Sequence, residues 1–269
     1  MKKLFLTLIT LISIQFGFAQ EKIQQAKTQQ AKVEQTKAQQ AKIPEVTESK
    51  ETKKSSNTNF ILMPIHNSVA GFSNVFLGSI GLSKNVNFTF YSVFWNNPSF
   101  GNFNLGSDLF LETGIGLGFK LGNLYVNPTL GFGHGKFLSG GTETVIGDGF
   151  IPSLGVLYNT RHFELDAYIA LYKAFRKRGN TSRDLLLNWV APGYKVNKRV
   201  SLGAYYEQFA QVRNSDESPE KSIYQWMGGY VKLSLDNGVW FRFAAGPNLA
   251  TDLGTGEEFY KIQAFIPLK

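Results

Sequence analysis

The stretch DLFLETGIGLGFK, residues 108–120, alternates between two kinds of side chain. Large apolar side chains occupy one parity from Leu109 to Phe119, and the other parity carries Asp108, Glu112 and three glycines. Because successive side chains of a β-strand point to opposite faces, this pattern predicts a strand with one apolar face and one face that holds a carboxylate. We expect the glycines to leave open space beside Glu112 on that second face.

The same alternation recurs in later stretches of the chain. In HFELDAYIALYKA, residues 162–174, Glu164, Asp166 and Tyr168 share one parity, and apolar side chains occupy the other. Ionisable groups in mid-strand require water or polar partners, whereas the 23 Phe and 11 Tyr of the chain cluster near strand ends. This combination favours an apolar face that points outward to lipid and a polar face that lines an interior.

Twelve candidate strands follow one another from residue 60 to residue 268. Short turns alternate with longer loops between them, starting with a predicted loop at 67–74 and a turn at 83–85. This alternation and the even strand number are typical of outer-membrane barrels. The sequence therefore predicts an all-β fold, a transmembrane antiparallel up-and-down β-barrel of about twelve strands. The predicted strands are 60–66, 75–82, 86–95, 108–120, 123–134, 149–158, 162–174, 184–194, 199–211, 222–234, 239–246 and 258–268.

Three prolines fall within or near the ends of these predicted strands. Pro128, Pro152 and Pro192 lack the backbone N–H that a strand paired on both sides donates. We expect a β-bulge or a shortened strand at each of them.

The N-terminal region predicts export from the cytoplasm. Residues 1–19 have the basic start, short apolar core and small cleavage-site residues of a secretory signal peptide. Residues 20–58 form a low-complexity Lys/Gln-rich leader with no apolar stripe, which predicts a helical or disordered periplasmic spacer. The barrel is expected at 59–269, in the outer membrane of a Gram-negative bacterium, and the absence of cysteine excludes a lipoprotein anchor and disulfides.

The sequence gives little support for nucleic-acid binding, phosphate binding, a metal site or catalysis. The formal net charge is +8, but residues 21–58 alone hold eight Lys and five Glu, so the charge does not predict a nucleic-acid partner. The stretch GFGHGKF, 131–137, lacks the spacing of a phosphate-binding loop, and three histidines without cysteine do not predict a zinc site. No catalytic residue, metal or cofactor is therefore predicted. A lipid hydrolase stays open as an alternative, with His134 near Ser139 as its candidate pair.

The stretch GSDLFLETGIGLGF, residues 106–119, resembles a segment of the nucleoside-specific channel family of outer-membrane proteins. The resemblance covers about fourteen residues and includes a small-x-apolar-Phe-apolar-Glu pattern. It implies a twelve-stranded monomeric barrel with a narrow channel lined by aromatic and ionisable side chains. Phe110 and Glu112 are the positions that match.

The favoured function is a channel for passive or substrate-preferring passage of small polar solutes, which the resemblance extends to nucleoside-like solutes. Mixed charge in the interior would orient solute dipoles, and aromatic rings would offer stacking surfaces. A non-conducting structural or interaction barrel is a second alternative, in which the same residues pair across a filled interior. The expected partners are outer-membrane lipids, the barrel-assembly machinery, a small polar solute and peptidoglycan at the leader. The candidate interior residues are Phe110, Glu112, Glu164, Asp166, Tyr168, Tyr172, Arg199, Tyr205, Glu207, Trp226, Lys232 and Arg242.

Overall fold

The computed structural model of the chain describes residues 58–69, 71–96, 110–215, 221–250 and 256–268. The predicted signal peptide and leader lie outside the described residues and stay predictions. Within the described ranges, no helix is long and apolar enough to cross a bilayer.

Twelve antiparallel strands form one closed barrel. Each strand pairs with its neighbours in the sequence, and β1 pairs with β12 to close the ring, with Phe60 opposite Leu268 and Asn67 opposite Lys261. The predicted fold class is confirmed. The strands are β1 (Thr58–Asn67), β2 (Gly71–Gly81), β3 (Val86–Asn96), β4 (Phe110–Leu121), β5 (Leu124–Gly135), β6 (Val145–Asn159), β7 (Phe163–Ala174), β8 (Arg183–Lys195), β9 (Val200–Asn214), β10 (Lys221–Ser234), β11 (Trp240–Pro247) and β12 (Glu258–Leu268).

The connections differ between the two ends of the barrel. Five short turns, from β2–β3 to β10–β11, lie at the end that we call the turn end. The other six connections lie at the opposite end, the loop end, and five of them are longer. The predicted loop 67–74 is wrong, because β2 already begins at Gly71 and leaves only three residues after β1. Ser73 is buried in the strand that replaces it. The polar Ser73 in this stretch led the sequence analysis to predict a loop instead of a strand.

The three prolines cause less disruption than predicted. Pro128 is opposite Leu154, Pro152 is opposite Leu130 and Pro192 is opposite Leu165, each in a continuous register. On its other side each proline lies in a gap of the ladder, and the register is unchanged across the gap. The missing N–H therefore interrupts one ladder without a bulge. The register shifts in the described strands instead lie near the loop end, at 133/135, 184/185 and 222/224.

The outer surface of the barrel is apolar and the interior is mixed. Exposed large hydrophobic side chains lie on the outward parity of strands around the barrel, as Phe76, Ile115, Ile169 and Phe243 illustrate. The opposite parity holds buried polar and charged side chains together with a cluster of buried aromatic and aliphatic residues. This arrangement is that of a barrel whose solvent is lipid on the outside.

Candidate functional site

Glu112 lies inside the barrel and binds two tyrosines. The Tyr91 hydroxyl on β3 donates a hydrogen bond of 2.6 Å to Glu112 Oε1, and the Tyr172 hydroxyl on β7 donates one of 3.1 Å to Oε2. The carboxyl-bearing residue is only 1% exposed. Because β4 and β7 are separated by two strands, the contact with Tyr172 reaches across the interior rather than along the wall.

The glycines around Glu112 accommodate tyrosine rings. A methyl group at Gly114 would overlap the Tyr91 ring, one at Gly131 the Tyr91 hydroxyl and one at Gly118 the Tyr125 hydroxyl. The expectation of open space is wrong for all three glycines of β4, because a methyl group at Gly116 would also overlap the Pro128 carbonyl oxygen. The absent side chains instead let the tyrosines lie flat against the wall, and this places the Tyr91 hydroxyl next to Glu112.

A second set of contacts joins β7 to β10 and β11. Glu164 forms an ion pair with Lys232 and accepts a hydrogen bond of 3.0 Å from the Tyr230 hydroxyl. Two residues further along β7, Asp166 accepts a 2.6 Å hydrogen bond from Arg242 Nη2. Because β7 and β11 are separated by three strands, these pairs cross the interior and narrow it.

A third set of contacts joins β9 to β12. Lys261 Nζ lies 2.5 Å from Glu207 Oε2 and 2.9 Å from the Tyr205 hydroxyl. The Tyr224 hydroxyl donates a 2.7 Å hydrogen bond to Glu207 Oε1. The side chains of Glu207 and Lys261 are both largely withdrawn from solvent, so the ion pair is compensated inside the barrel.

The charges of these pairs are sorted between two walls. The carboxylates of Glu164, Asp166 and Glu207 extend from β7 and β9, whereas their basic partners extend from β10, β11 and β12. Arg242 additionally donates to Gln263 Oε1 at 2.7 Å. The interior therefore carries a transverse separation of charge where these pairs meet, and we call this part of the interior the constriction.

Apolar side chains fill part of the interior near the loop end. Leu138, from the loop between β5 and β6, is fully buried in one cluster with Ile151, Leu185 and Trp226. Trp226 stacks on Tyr224 with ring centroids 3.9 Å apart. The folded-in loop thus contributes a large apolar side chain to the interior.

Asp148 fixes this loop. Its carboxylate accepts a 2.6 Å hydrogen bond from the Leu138 backbone N–H and a 3.3 Å hydrogen bond from that of Ser139. The backbone N–H of Arg183 donates to the Leu138 carbonyl at 2.9 Å, and that of Arg178 donates to the Ser139 carbonyl at 2.9 Å. The loop is therefore tied to β6, to the first residue of β8 and to the loop between β7 and β8.

The structure places eleven of the twelve candidate residues on the interior side. Phe110 packs edge-on against Trp95 and Phe137, and Tyr168 stacks on Trp189 at 4.3 Å. The other nine are the residues of the contacts above and Trp226. Whether any of them contacts a solute stays a prediction.

Arg199 is the exception and its assignment to the interior is wrong. It lies in the turn between β8 and β9, where it pairs with Asp236 of the next turn at 2.8 Å. Both side chains are well exposed, at 69% and 83%. The predicted strand began one residue too early, and this placed a turn residue on the polar parity.

Several interior residues were missed by the sequence prediction. Tyr91 could have been found, because it shares the parity of Asn87 and Thr89 while Phe88 and Phe90 occupy the other. Lys261 could have been found, because it shares the parity of Gln263 while Tyr260 and Ile262 on the other parity face outward. Trp189, Tyr224 and Tyr230 also escaped the prediction.

The candidate hydrolase pair is not assembled. His134 Nε2 lies 3.0 Å from Thr113 Oγ1, and Nδ1 accepts a hydrogen bond from the Gly147 backbone N–H. Ser139 is fully buried and its backbone N–H binds Asp148. Both histidine nitrogens are thus engaged away from Ser139. Among the described residues, no group of three or more His, Cys, Asp or Glu could hold a metal ion.

Solved structures similar to this chain include an outer-membrane channel and a porin. The crystal structure of the COG4313 outer membrane channel from Pseudomonas putida F1 matches with a TM-score of 0.51 and 12% identity, over 84% of this chain and 100% of that chain. The NanC porin matches with a TM-score of 0.48 and 10% identity, over 78% of this chain and 100% of that chain. At such identities the similarity to the first of these shows the fold alone.

Comparison of the sequence with models of known protein families assigns the chain to a family. No curated protein matches the chain significantly. The model of a family of unknown function, DUF6733, matches residues 39–268, which include the whole barrel. The chain belongs to this family.

Proposed function

We propose that the protein is a narrow outer-membrane channel for small polar solutes, with the constriction as its selective part. The observation that carries the proposal is the sorting of charge between the two walls. Glu164, Asp166 and Glu207 face Lys232, Arg242 and Lys261 across the interior. A solute in the constriction would meet opposite charges on its two sides.

Such a field favours solutes that carry separated charges. A dipolar or zwitterionic solute gains electrostatic energy when it aligns with a transverse field, and the low-dielectric wall of a barrel strengthens the effect. The charged groups of such a solute can also pair with the acidic and basic side chains of the constriction, and so replace the ion pairs between them one at a time. A neutral solute of equal size lacks this compensation. We therefore expect small zwitterions to permeate faster than neutral solutes of equal size.

The chemistry of the constriction argues against a purely structural filling. Buried ion pairs are often no more stabilising than well-packed apolar residues of similar volume, because removing both charges from water is costly. Part of the interior near the loop end is already filled by apolar residues such as Leu138 and Ile151. A barrel that needed only a stable core could continue this packing. Three ion pairs at the constriction suit a path for polar solutes better.

Aromatic faces next to the constriction extend the proposal to solutes with a ring. Tyr168 stacks on Trp189, and the Trp189 indole N–H donates to Asp166 at 3.2 Å. An aromatic face beside a carboxylate suits a planar, hydrogen-bonding solute. This is the chemistry of a nucleoside-like solute, the class implied by the resemblance of residues 106–119.

Swelling of proteoliposomes tests the proposal. Vesicles with the folded full-length protein are diluted into isotonic glycine, or into a neutral polyol of similar size, and the rate of swelling is measured. We expect swelling in both solutes, faster in the zwitterion, and a smaller difference for Arg242→Gln. If vesicles with folded protein swell in neither solute, the non-conducting barrel is the correct account.

A further inference from the structure

The outward surface of β5, β6 and β7 carries an aromatic group at the loop end. Phe175 stacks on Phe150 with ring centroids 5.7 Å apart and lies 6.3 Å from the Phe132 ring. Phe132 and Phe175 are exposed, and Ile146 on β6 is 89% exposed. We call Phe132, Phe150 and Phe175 the rim aromatics. They continue the apolar outer surface of the barrel up to its loop end.

Basic side chains lie next to the rim aromatics. Lys173 is directly opposite Phe150 in the β6–β7 register and is 49% exposed. Arg176 and Lys177 follow Phe175 in the loop and are exposed. Arg213 on the neighbouring outward surface is the fourth basic residue of what we call the rim bases.

Among the residues that the structure describes, few acidic groups face the rim bases. Asp184 accepts two hydrogen bonds from Arg213, at 2.7 and 2.8 Å, and lies 3.7 Å from Lys173 Nζ. Glu143, in the loop between β5 and β6, is the other carboxylate near this side of the rim, and its carbonyl accepts from Arg178. The described part of the rim therefore carries more basic than acidic side chains at its membrane-facing edge.

The position of this surface relative to a bilayer is fixed by the fold. In outer-membrane barrels the long loops are extracellular, and the outward apolar band ends at the outer leaflet. The rim aromatics then lie where acyl chains begin, and Arg176 and Lys177, which follow Phe175, lie at the level of the head groups. Lys173 starts level with Phe150, and its long side chain can extend toward the head groups. Aromatic side chains at this level and basic side chains just beyond it attract anionic lipid.

We propose that this rim binds a phosphorylated glycolipid of the outer leaflet, of the lipid A type. Its acyl chains pack on Phe132, Phe150 and Phe175, and its phosphates bind Lys173, Arg176 and Lys177. Arginine and lysine are the side chains that bind phosphate oxygens most strongly, through charge-assisted hydrogen bonds. A free phosphate would use only the bases and leave the rim aromatics without a role. The site lies outside the lumen and does not rest on the channel function.

Binding of purified lipid A to the full-length protein in phosphatidylcholine nanodiscs tests the proposal. The rim variant is Lys173→Gln with Arg176→Gln and Lys177→Gln. The control variant removes the same charge at the turn end, by Lys84→Gln, Lys120→Gln and Lys198→Gln. We expect the rim variant to bind lipid A roughly tenfold more weakly, because each basic residue near the surface adds favourable energy, and the control variant to bind like the parent.

Two measurements on the parent keep the proposal falsifiable if the rim variant folds poorly. Dephosphorylated lipid A should bind the parent as weakly as bisphosphorylated lipid A binds the rim variant. Inorganic pyrophosphate should neither bind with comparable affinity nor displace lipid A at equal concentration. Equal affinity of the parent for both forms of lipid A, equal losses in the rim and control variants, or displacement by pyrophosphate would each overturn the proposal.

Discussion

Arg242 on β11 donates a 2.6 Å hydrogen bond to Asp166 on β7, across an interior that separates the two strands by three others. The Arg242 side chain is 6% exposed and that of Asp166 is 27% exposed. Arg242 is therefore buried, whereas Asp166 stays partly accessible to solvent. The same guanidinium also donates to Gln263. Arg242 is thus held on its own wall while it reaches to the opposite one.

Neutralising either member of this pair should change the ion selectivity in opposite directions. Asp166→Asn removes a negative charge from the constriction and should shift the channel toward anions, and Arg242→Gln should shift it toward cations. A unit charge at about 4 Å in water contributes about 1 kcal/mol, which is roughly fivefold in a permeability ratio. Reversal potentials in a KCl gradient measure the shift. Shifts in the same direction for both variants would contradict the sorted charges.

Arg199→Gln is the matched control for Arg242→Gln. Arg199 pairs with Asp236 at the exposed turn end, where an ion pair contributes about 0–1 kcal/mol. The reversal potential should therefore equal that of the parent, and the unfolding free energy should change by less than about 1 kcal/mol. A selectivity shift as large as that of Arg242→Gln would show that Arg199 lies in the conduction path after all.

The hydrogen bonds of Glu112 should couple energetically. In a double-mutant cycle of Glu112→Gln with Tyr172→Phe, we expect a coupling free energy of about 0.5–1.5 kcal/mol, the usual net contribution of an intramolecular hydrogen bond. Urea unfolding in lipid vesicles, followed by tryptophan fluorescence, measures it. Additive effects of the two substitutions would mean that the Tyr172 hydroxyl does not hold the carboxylate.

A side chain at Gly114 should displace the Tyr91 ring. Gly114→Ala places a methyl group where the ring lies, and such overpacking costs about 1–3 kcal/mol. Gly229→Ala is the control, because a methyl group there meets only a carbonyl oxygen at 3.6 Å. Unfolding free energies of both variants test the difference. Equal stability of the two variants would show that the Tyr91 ring can move to another position at no cost.

Alternation in the sequence predicts most of the architecture. It is a property of each strand alone, so the outward parity of Ile115 and the inward parity of Glu112 follow from residues 108–120 without knowledge of the fold. The even number of strands and the alternation of turns and loops then lead to a closed barrel. The ends of strands are less predictable, as the misplaced Arg199 and the early start of β2 illustrate.

The pairing across the interior could not be predicted in the same way. Which side chain Asp166 meets depends on barrel closure and on the stagger of all twelve strands, so its contact with Arg242 is a property of the whole ring. Glycines add a second difficulty, since Gly114 reads as empty space in a sequence but holds the ring of Tyr91, which comes from another strand. The loop that carries Leu138 is held in the interior by a hydrogen bond to the Asp148 carboxylate. The sequence suggests that Asp148 is itself part of a loop, so it does not predict this contact.

Single-channel recording in planar bilayers tests the central claim most directly. Full-length parent protein, folded and reconstituted, is compared with Arg242→Gln in symmetric KCl. We expect discrete steps of small conductance for the parent, since twelve strands enclose a narrower lumen than a sixteen-stranded porin, and larger steps for Arg242→Gln, because the bridge to Asp166 is lost. Folded, inserted protein that gives no steps in either form would contradict the claim that this interior conducts.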